Sequence, residues 1–286
     1  MNRHTGITLI ETLVALAISS FLLLGLVTVF TQTRSVYRAA ERIARLHENL
    51  RFAQAMLRAD IQLANFWGRT HRAENIVVSP GVRVTCRNRD VTRWALDVSH
   101  AIEINDELYA LPCPATRPSE KSDVLIIRHA RAAITTRVSG SVQIQSSGRG
   151  GRIFSHPGIP VKSEPGSEIF DLVVNAYYVS VRSNHNQKLP ALRRLSLVRG
   201  VIHDQEIISG VSNLQIELGL DTDGDNRADT YVDGDDFSLA KPENHIVAVR
   251  LQLAAQSEGP VERQAVVTQT VFLRNARRTA DLPGPT

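Results

Sequence analysis

The apolar positions of this 286-residue chain follow different rules in successive stretches. From Ile7 to Phe30 they run almost unbroken, and one acid, Glu11, interrupts them. At 1.5 Å per helical residue the run extends roughly 36 Å, enough to cross a hydrocarbon core of ~30 Å. From Val36 the apolar residues thin to a stripe: Val36, Ala40, Ile43, Leu46, Leu50, Ala53, Leu57, Ile61 and Ala64. Its steps of three and four are the helical period, and Arg34, Arg38, Glu41, Arg45, Glu48 and Arg58 fall on the other faces. No proline lies between Ile7 and Asn65, so one helix of roughly 85 Å is predicted. Gly25 is its soft point, and Phe66-Trp67-Gly68 is predicted to end it, with the glycine as the stop. The stripe lacks a clean heptad, which favours packing on the chain's own sheet over a free coiled coil.

Beyond Gly68 the period changes. Short runs rich in Val, Ile, Leu and Tyr alternate with turn residues. They predict strands at Trp94–Val98, Val124–His129, Ala133–Val138, Leu172–Arg182, Leu192–Arg199, Leu214–Leu220, Ile246–Ala254 and Val266–Leu273. The tract Ser146–Gly151, SSGRGG, reads as a hairpin tip. A phosphate cradle would need a P-loop Lys-Ser/Thr and a strand–loop–helix setting, and neither is there. Pro157, Pro160 and Pro165 mark an irregular connector and a candidate boundary between two sub-sheets near 156–166. The predicted fold class is α+β. The expected organisation is a leader at 1–6, a membrane-spanning helix at 7–30, its amphipathic continuation at 31–65 and a β-rich head at 66–286.

Composition narrows the function classes. Hydrophobic residues make up 43% and charged residues 22%, as in folded proteins. The net charge of +4 is spread along the chain with no RNA- or DNA-binding pattern, so no nucleic-acid partner is expected. The two cysteines, Cys86 and Cys113, are candidates for a disulfide outside the cytoplasm; the alternative is two separate buried thiols. Arg3 and Ala15-Leu16-Ala17 imitate a cleaved secretory signal. The apolar run continues past Ala17, however, and Glu11 would sit inside it, so an uncleaved span fits better.

Thr8 and Glu11 stand at capping-box spacing, as N-cap and N3 of the helix. An acid at the edge of a membrane span is nevertheless costly, and it invites a cationic partner such as a free terminal amine. A short basic leader ending in Gly6, followed by Ile-Thr-Leu-Ile-Glu and an apolar run, resembles the class III signal of type IV prepilins. The resemblance implies a pilin-like fold and cleavage after Gly6 by a prepilin peptidase of the inner membrane. It also implies N-methylation of Ile7, and pairing of Glu11 with the amine of a neighbouring subunit. Ile7 stands where the family commonly has Phe. Leu46–Asn65, LHENLRFAQAMLRADIQLAN, is similar to the PilW-type minor pilins, as are ISGVSNLQIELGL from Ile208, IVAVRLQLAAQ from Ile246 and QTVFLRNAR near the end. The stretch from Thr70 to Pro165 matches that pattern only loosely.

The stretch Asp221–Asp229, DTDGDNRAD, is the second chemical signal. Asp221, Asp223, Asp225 and Asp229 occupy relative positions 1, 3, 5 and 9, with the backbone oxygen of Arg227 at position 7. This is how a tight loop delivers oxygens to calcium. Asn226 tolerates the left-handed turn, and Val232 replaces the bidentate Glu of an EF-hand. Asp233, Asp235, Asp236 or water would complete the shell of a structural Ca2+. The alternative is a solvated acidic turn. Magnesium fits less well, because it keeps more of its water.

No nucleophile elbow, zinc motif or histidine pair at ligand spacing occurs, so no catalytic residues are assigned and no enzyme is expected. Trp67 and Trp94 read as packing residues rather than ligand platforms. The resemblance implies a minor pilin that helps to initiate type IV pilus assembly in a tip or priming complex, supporting twitching motility and adhesion. Its implied partners are other minor pilins, the major pilin and a tip adhesin. Its implied place is the inner membrane with the head in the periplasm, then the fibre tip at the cell surface. The alternatives are a minor pseudopilin of type II secretion and a membrane-anchored, calcium-dependent binding protein that does not polymerise.

Overall fold

The computed structural model describes residues 8–132, 139–155, 166–234, 245–257 and 264–276. The chain separates into two compact units, residues 1–45 and 46–286. In the first unit, every described residue from Thr8 to Arg38 is exposed. It is the beginning of helix α1, Leu9–Leu63, which by length and composition can cross a membrane. The hydroxyls of Thr12, Ser20, Thr28 and Ser35 donate to carbonyls one turn earlier, at 2.7–2.8 Å. These polar groups therefore need no water, as an apolar surrounding requires. Gly25 does not interrupt the helix.

In the second unit the stripe turns inward. Leu46, Leu50, Ala53, Leu57, Ile61 and Ala64 are buried, whereas Val36 and Ala40 upstream are exposed. The helix stops at Asn65 rather than at Gly68. Asn65 takes the left-handed conformation (φ 63°), and its amide donates to the Asn275 carbonyl at 3.0 Å. The Asn275 amide in turn reaches the Ala64 carbonyl, so the orphaned helix end finds partners in the last described segment. Gly68 (φ 80°) instead turns the Trp67–Thr70 bridge, with the Phe170 ring where a Cβ would stand.

The strands are β1 (Ile76–Val78), β2 (Thr85–Cys86), β3 (Arg89–Asp90), β4 (Ile102–Asn105), β5 (Val124–Ala132), β6 (Val142–Ser147), β7 (Gly150–Ser155), β8 (Glu168–Ser180), β9 (Ala191–Val198), β10 (Val201–Ser209), β11 (Val211–Asp221), β12 (Thr230–Asp233), β13 (His245–Gln256) and β14 (Gln264–Phe272). A larger sheet runs β1-β7-β6-β8-β9-β10-β2-β3, with β5 on β8 and β4 on β5. A smaller antiparallel sheet runs β12-β11-β13-β14. SSGRGG is the β6–β7 hairpin, turning at Gly148-Arg149. The predicted strand Ala133–Val138 lies outside the described residues.

Two expectations are corrected. Trp94–Val98 is not a strand: Thr92–Ala95 forms a short helix, α2. Asp90 accepts the Thr92 N–H at 2.9 Å, and this local bond favours the turn over an extended chain. Nor does the sheet change near 156–166, since β7 and β8 on either side both pair with β6. The change falls at Gly210 (φ 92°), between β10 and β11. Its N–H donates to Pro190 and its carbonyl accepts from Gln256, both at 2.7 Å. A Cβ there would lie 3.2 Å from the Gln256 carbonyl.

One core joins the α1 stripe to both sheets, through Leu125, Ile127 and Tyr177 of the larger and Leu214, Ile216 and Val249 of the smaller. A second core lies on the other face of the larger sheet, around Trp67, Ile126, Ile144 and Tyr178. The first half of β5, Val124–Ile127, alternates between them and is buried on both faces, which explains its short apolar run. Cys86 and Cys113 form a disulfide in the second core, with Cα atoms 5.5 Å apart. Polar bonds tie the layers. Asp60 of α1 accepts from Tyr177 (2.7 Å) and Asn175 and faces His129. Burial opposes its ionisation, but the nearby His129 ring and the bonds from Tyr177 and Asn175 outweigh this and hold its carboxyl below the usual range.

Asp123 clasps the smaller sheet to the larger. Its N–H donates to Leu214, and its carboxylate accepts from Ile216 (2.7 Å) and Glu107 (3.1 Å). Burial, aided by the neighbouring Asp106 carboxylate, pushes its pKa up to about 7 against the opposing backbone donors. An unfolded aspartate titrates near ~4. Between those pH values the folded chain keeps a proton that the unfolded chain has released. The stabilisation is therefore full below about pH 4 and is lost as pH rises through about 7. Denaturant titrations in detergent at pH 4.5 and 7.5 are expected to show a smaller fall for Asp106→Asn than for the parent. An equal fall would remove this pair as the cause.

Candidate functional site

The N-terminal site begins at the first described residue. The Thr8 N–H and hydroxyl both donate to Glu11 Oε2 at 3.2 Å, and the Glu11 N–H reaches the Thr8 hydroxyl at 3.4 Å. The capping box read from the spacing is therefore formed, with the carboxylate on the first helical turn, where the helix dipole favours a negative charge. Both residues are exposed. Gly6 and Ile7 lie outside the described residues.

The acidic loop leaves β11 at Asp221 and enters β12 at Thr230. Asp221 is buried, and its two oxygens receive the Gly224 N–H (2.6 Å) and the Asn226 N–H (3.0 Å). Asp223 receives the Asp225 N–H at 3.1 Å, and Asp225 the Arg227 N–H at 2.7 Å. Gly224 (φ 90°) and Asn226 (φ 63°) supply the left-handed turns that wind the loop tightly. One carboxylate oxygen from each of Asp221, Asp223 and Asp225 lies within 4.8 Å of the others. Asp229 is not in this group. Its carboxylate is held by the Thr222 N–H and hydroxyl, both at 2.7 Å, which keep its pKa below the usual range. Asp233 ends β12 opposite Glu217, and Asp235 and Asp236 lie outside the described residues. Three hard oxygens on one tight loop suit a hard cation; further carbonyls or water would have to complete the six to eight that calcium takes.

One cluster escaped the sequence reading. Asp97 accepts from the Ser99 hydroxyl, and its other oxygen lies 2.9 Å from His100 Nδ1. The hydroxyl is also 3.2 Å from the same Nδ1. In a hydrolytic triad the acid and the nucleophile bind opposite ring nitrogens. Here both use Nδ1, so the trio is an exposed turn cap and not a charge-relay arrangement. The spacing Asp-x-Ser-His was the available signal.

The last third of the chain, residues 176–279, matches the family model of the type IV pilus-assembly protein W. Residues 1–27 match the prokaryotic N-terminal methylation motif. The first match takes in the end of β8 and all of β9 to β14, hence the acidic loop; the second takes in Gly6, Ile7 and Glu11. No curated protein and no solved structure matches the chain. The fold is α+β and pilin-like, a long apolar N-terminal helix with a sheet-rich head, and the two matches support a type IV pilus minor pilin. They point to a structural family rather than a known enzyme family, and to other pilins as partners.

The loop geometry separates its aspartates. In chelator, Asp221→Ala is expected to cost about 1–3 kcal/mol, because two N–H groups beside a buried position lose their acceptor. Exposed Asp223→Ala should stay within about 0.5 kcal/mol of the parent. Denaturant melts of both variants check this, and equal losses would refute the division of roles.

Proposed function

We propose that this chain is a minor pilin that primes type IV pilus assembly and remains in the complex at the fibre tip. The observation that carries the reading is the methylation motif over residues 1–27, on a helix exposed at every described residue from Thr8 to Arg38. From Thr12 to Phe30 that surface is apolar on nearly all sides, so it is comfortable in lipid and equally able to pack on like helices. Lipid offers little drive for helix association, so a charge pair can set the register. Cleavage after Gly6 would free the amine of Ile7 for subsequent methylation, and Glu11, one turn inside, would receive the amine of a neighbouring subunit. In the monomer Thr8 occupies that carboxylate with neutral bonds, which an ammonium can outcompete.

In this reading the head lies in the periplasm before assembly. Other minor pilins, the major pilin and a tip adhesin are its partners, and motility and adhesion are the outcomes. The intact mass of the membrane-extracted protein should correspond to a chain beginning at Ile7 with one added methyl group; an uncut terminus would overturn the reading. Glu11→Ala expressed at native levels should insert normally yet leave cells with few or no pili, counted by electron microscopy. Normal piliation would sink the pairing.

We also propose that Asp221, Asp223 and Asp225 hold a structural Ca2+. Their convergent oxygens support it. The full chain in detergent should melt higher in millimolar calcium than in chelator, and Asp223→Ala should erase most of the difference. Identical melts would dismiss the metal.

A further inference from the structure

Sheet edges in this protein are mostly short. Among the described residues, the larger sheet has its edges at β1, three residues, β3, two residues, and β4, four residues. The smaller sheet ends on one side in β12, four residues. Its other end is different. β14 has nine residues, and among the described residues it pairs only with β13. Natural sheets blunt such an edge with charge, proline or a bulge, because its free N–H and C=O groups are a template for another strand. β14, QAVVTQTVF, has no charged residue and no proline, and its register runs unbroken from Ala248↔Phe272 to Gln256↔Gln264.

The ladder says which groups are free. The Leu273 N–H donates to the Val247 carbonyl at 2.9 Å. Antiparallel alternation then aims the N–H and C=O of Phe272, Thr270, Thr268, Val266 and Gln264 away from β13. Val266 and Phe272 are 54% and 62% exposed on this strand. Beside it lies a groove of about 330 Å³ between α1 and β14, lined by Arg51, Gln54, Arg58 and Gln62 of the helix and Gln269 of the strand. Arg51 and Arg58 are exposed, and neither forms an ion pair among the described residues. Gln269 Oε1 is buried with no hydrogen-bond partner.

We propose that β14 accepts an extended, acidic segment of another protein as a fifth strand of the smaller sheet. The edge offers outward main-chain groups at every second residue, which gives strand-addition affinity without a sequence requirement. The pleat of the incoming strand turns alternate side chains over the groove. There the unpaired Arg51 and Arg58 select carboxylates, and the orphaned Gln269 oxygen takes a donor. A second copy of this chain is the poorer occupant. β14 carries no acid, and pairing two β14 edges would bring two arginine rows to one seam. The inference rests on the edge and the groove alone and is independent of the role proposed for Glu11.

The test uses the full chain in detergent and a labelled nine-residue peptide of alternating Thr and Asp, read by fluorescence anisotropy. Saturable binding is expected, with the Thr/Lys counterpart at least tenfold weaker. Thr268→Pro removes an outward N–H while leaving the ladder to β13 intact, and should weaken binding at least tenfold; Thr268→Val should not. Arg51→Glu with Arg58→Glu should transfer the preference to the Lys peptide. Should the proline variant melt before assay, a Thr/Asp peptide N-methylated at alternate amides makes the same test from the ligand side, and it is expected not to bind. Absence of saturable binding, equal binding of both charges, or indifference to N-methylation would overturn the proposal. So would a chain dimer that Thr268→Pro dissolves, since the occupant would then be a second copy.

Discussion

One helical stripe is shared by two sheets. Leu46, Leu50, Ala53, Leu57, Ile61 and Ala64 supply the apolar surface against which both inner faces close. Removing it would leave Leu125 and Tyr177 on one side and Ile216 and Val249 on the other facing water. The core between the two sheets depends on that contact, because sheets of such strands gain their stability from a covered face. The polar ties, Asp60 to β8 and Ser122-Asp123 to β11, add direction rather than bulk. They set how the helix lies on one sheet and how the second sheet meets the first.

The helix and the long strands were legible because their patterns are strong. A stripe with steps of three and four, without proline, can be little else, and β8, β9, β11, β13 and β14 are dense in apolar and β-branched residues. What stayed hidden follows from weaker local signals. β10, VIHDQEIIS, is half polar because one edge of the sheet is only partly covered, so its charged residues masked an eight-pair ladder with β9. β1 to β3 are too short to show a period at all. The Trp94 segment has strand-like composition, and the bonds of Thr92 to Asp90 and Val84, which a propensity scale does not see, favour a helical turn instead. Glycine is the commoner left-handed residue, which points to Gly68, yet Asn65 ends the helix because it also has Asn275 to bind.

The candidate sites were legible to different depths. At Thr8 and Glu11 spacing alone specifies the bonds, since a capping box is local. In the acidic loop spacing specified which aspartates could converge, and Asp221, Asp223 and Asp225 do. It did not reveal that Thr222 would take Asp229, because a threonine at the second position reads as neutral filler. The Ser99–His100–Asp97 trio shows the reverse hazard. The right residue types meet, but in an order that performs no proton relay.

The reciprocal amides of Asn65 and Asn275 have a mechanical consequence. They join the end of α1 to the segment that follows β14, so the helix is fastened to the outermost strand at a point remote in sequence. A pull delivered along the helix axis is not confined to the first strand after it. Tension arriving at Asn65 can pass on through the chain and also, across these two hydrogen bonds, to the segment after β14. The small clasp thus gives a load on the helix a second route into the smaller sheet.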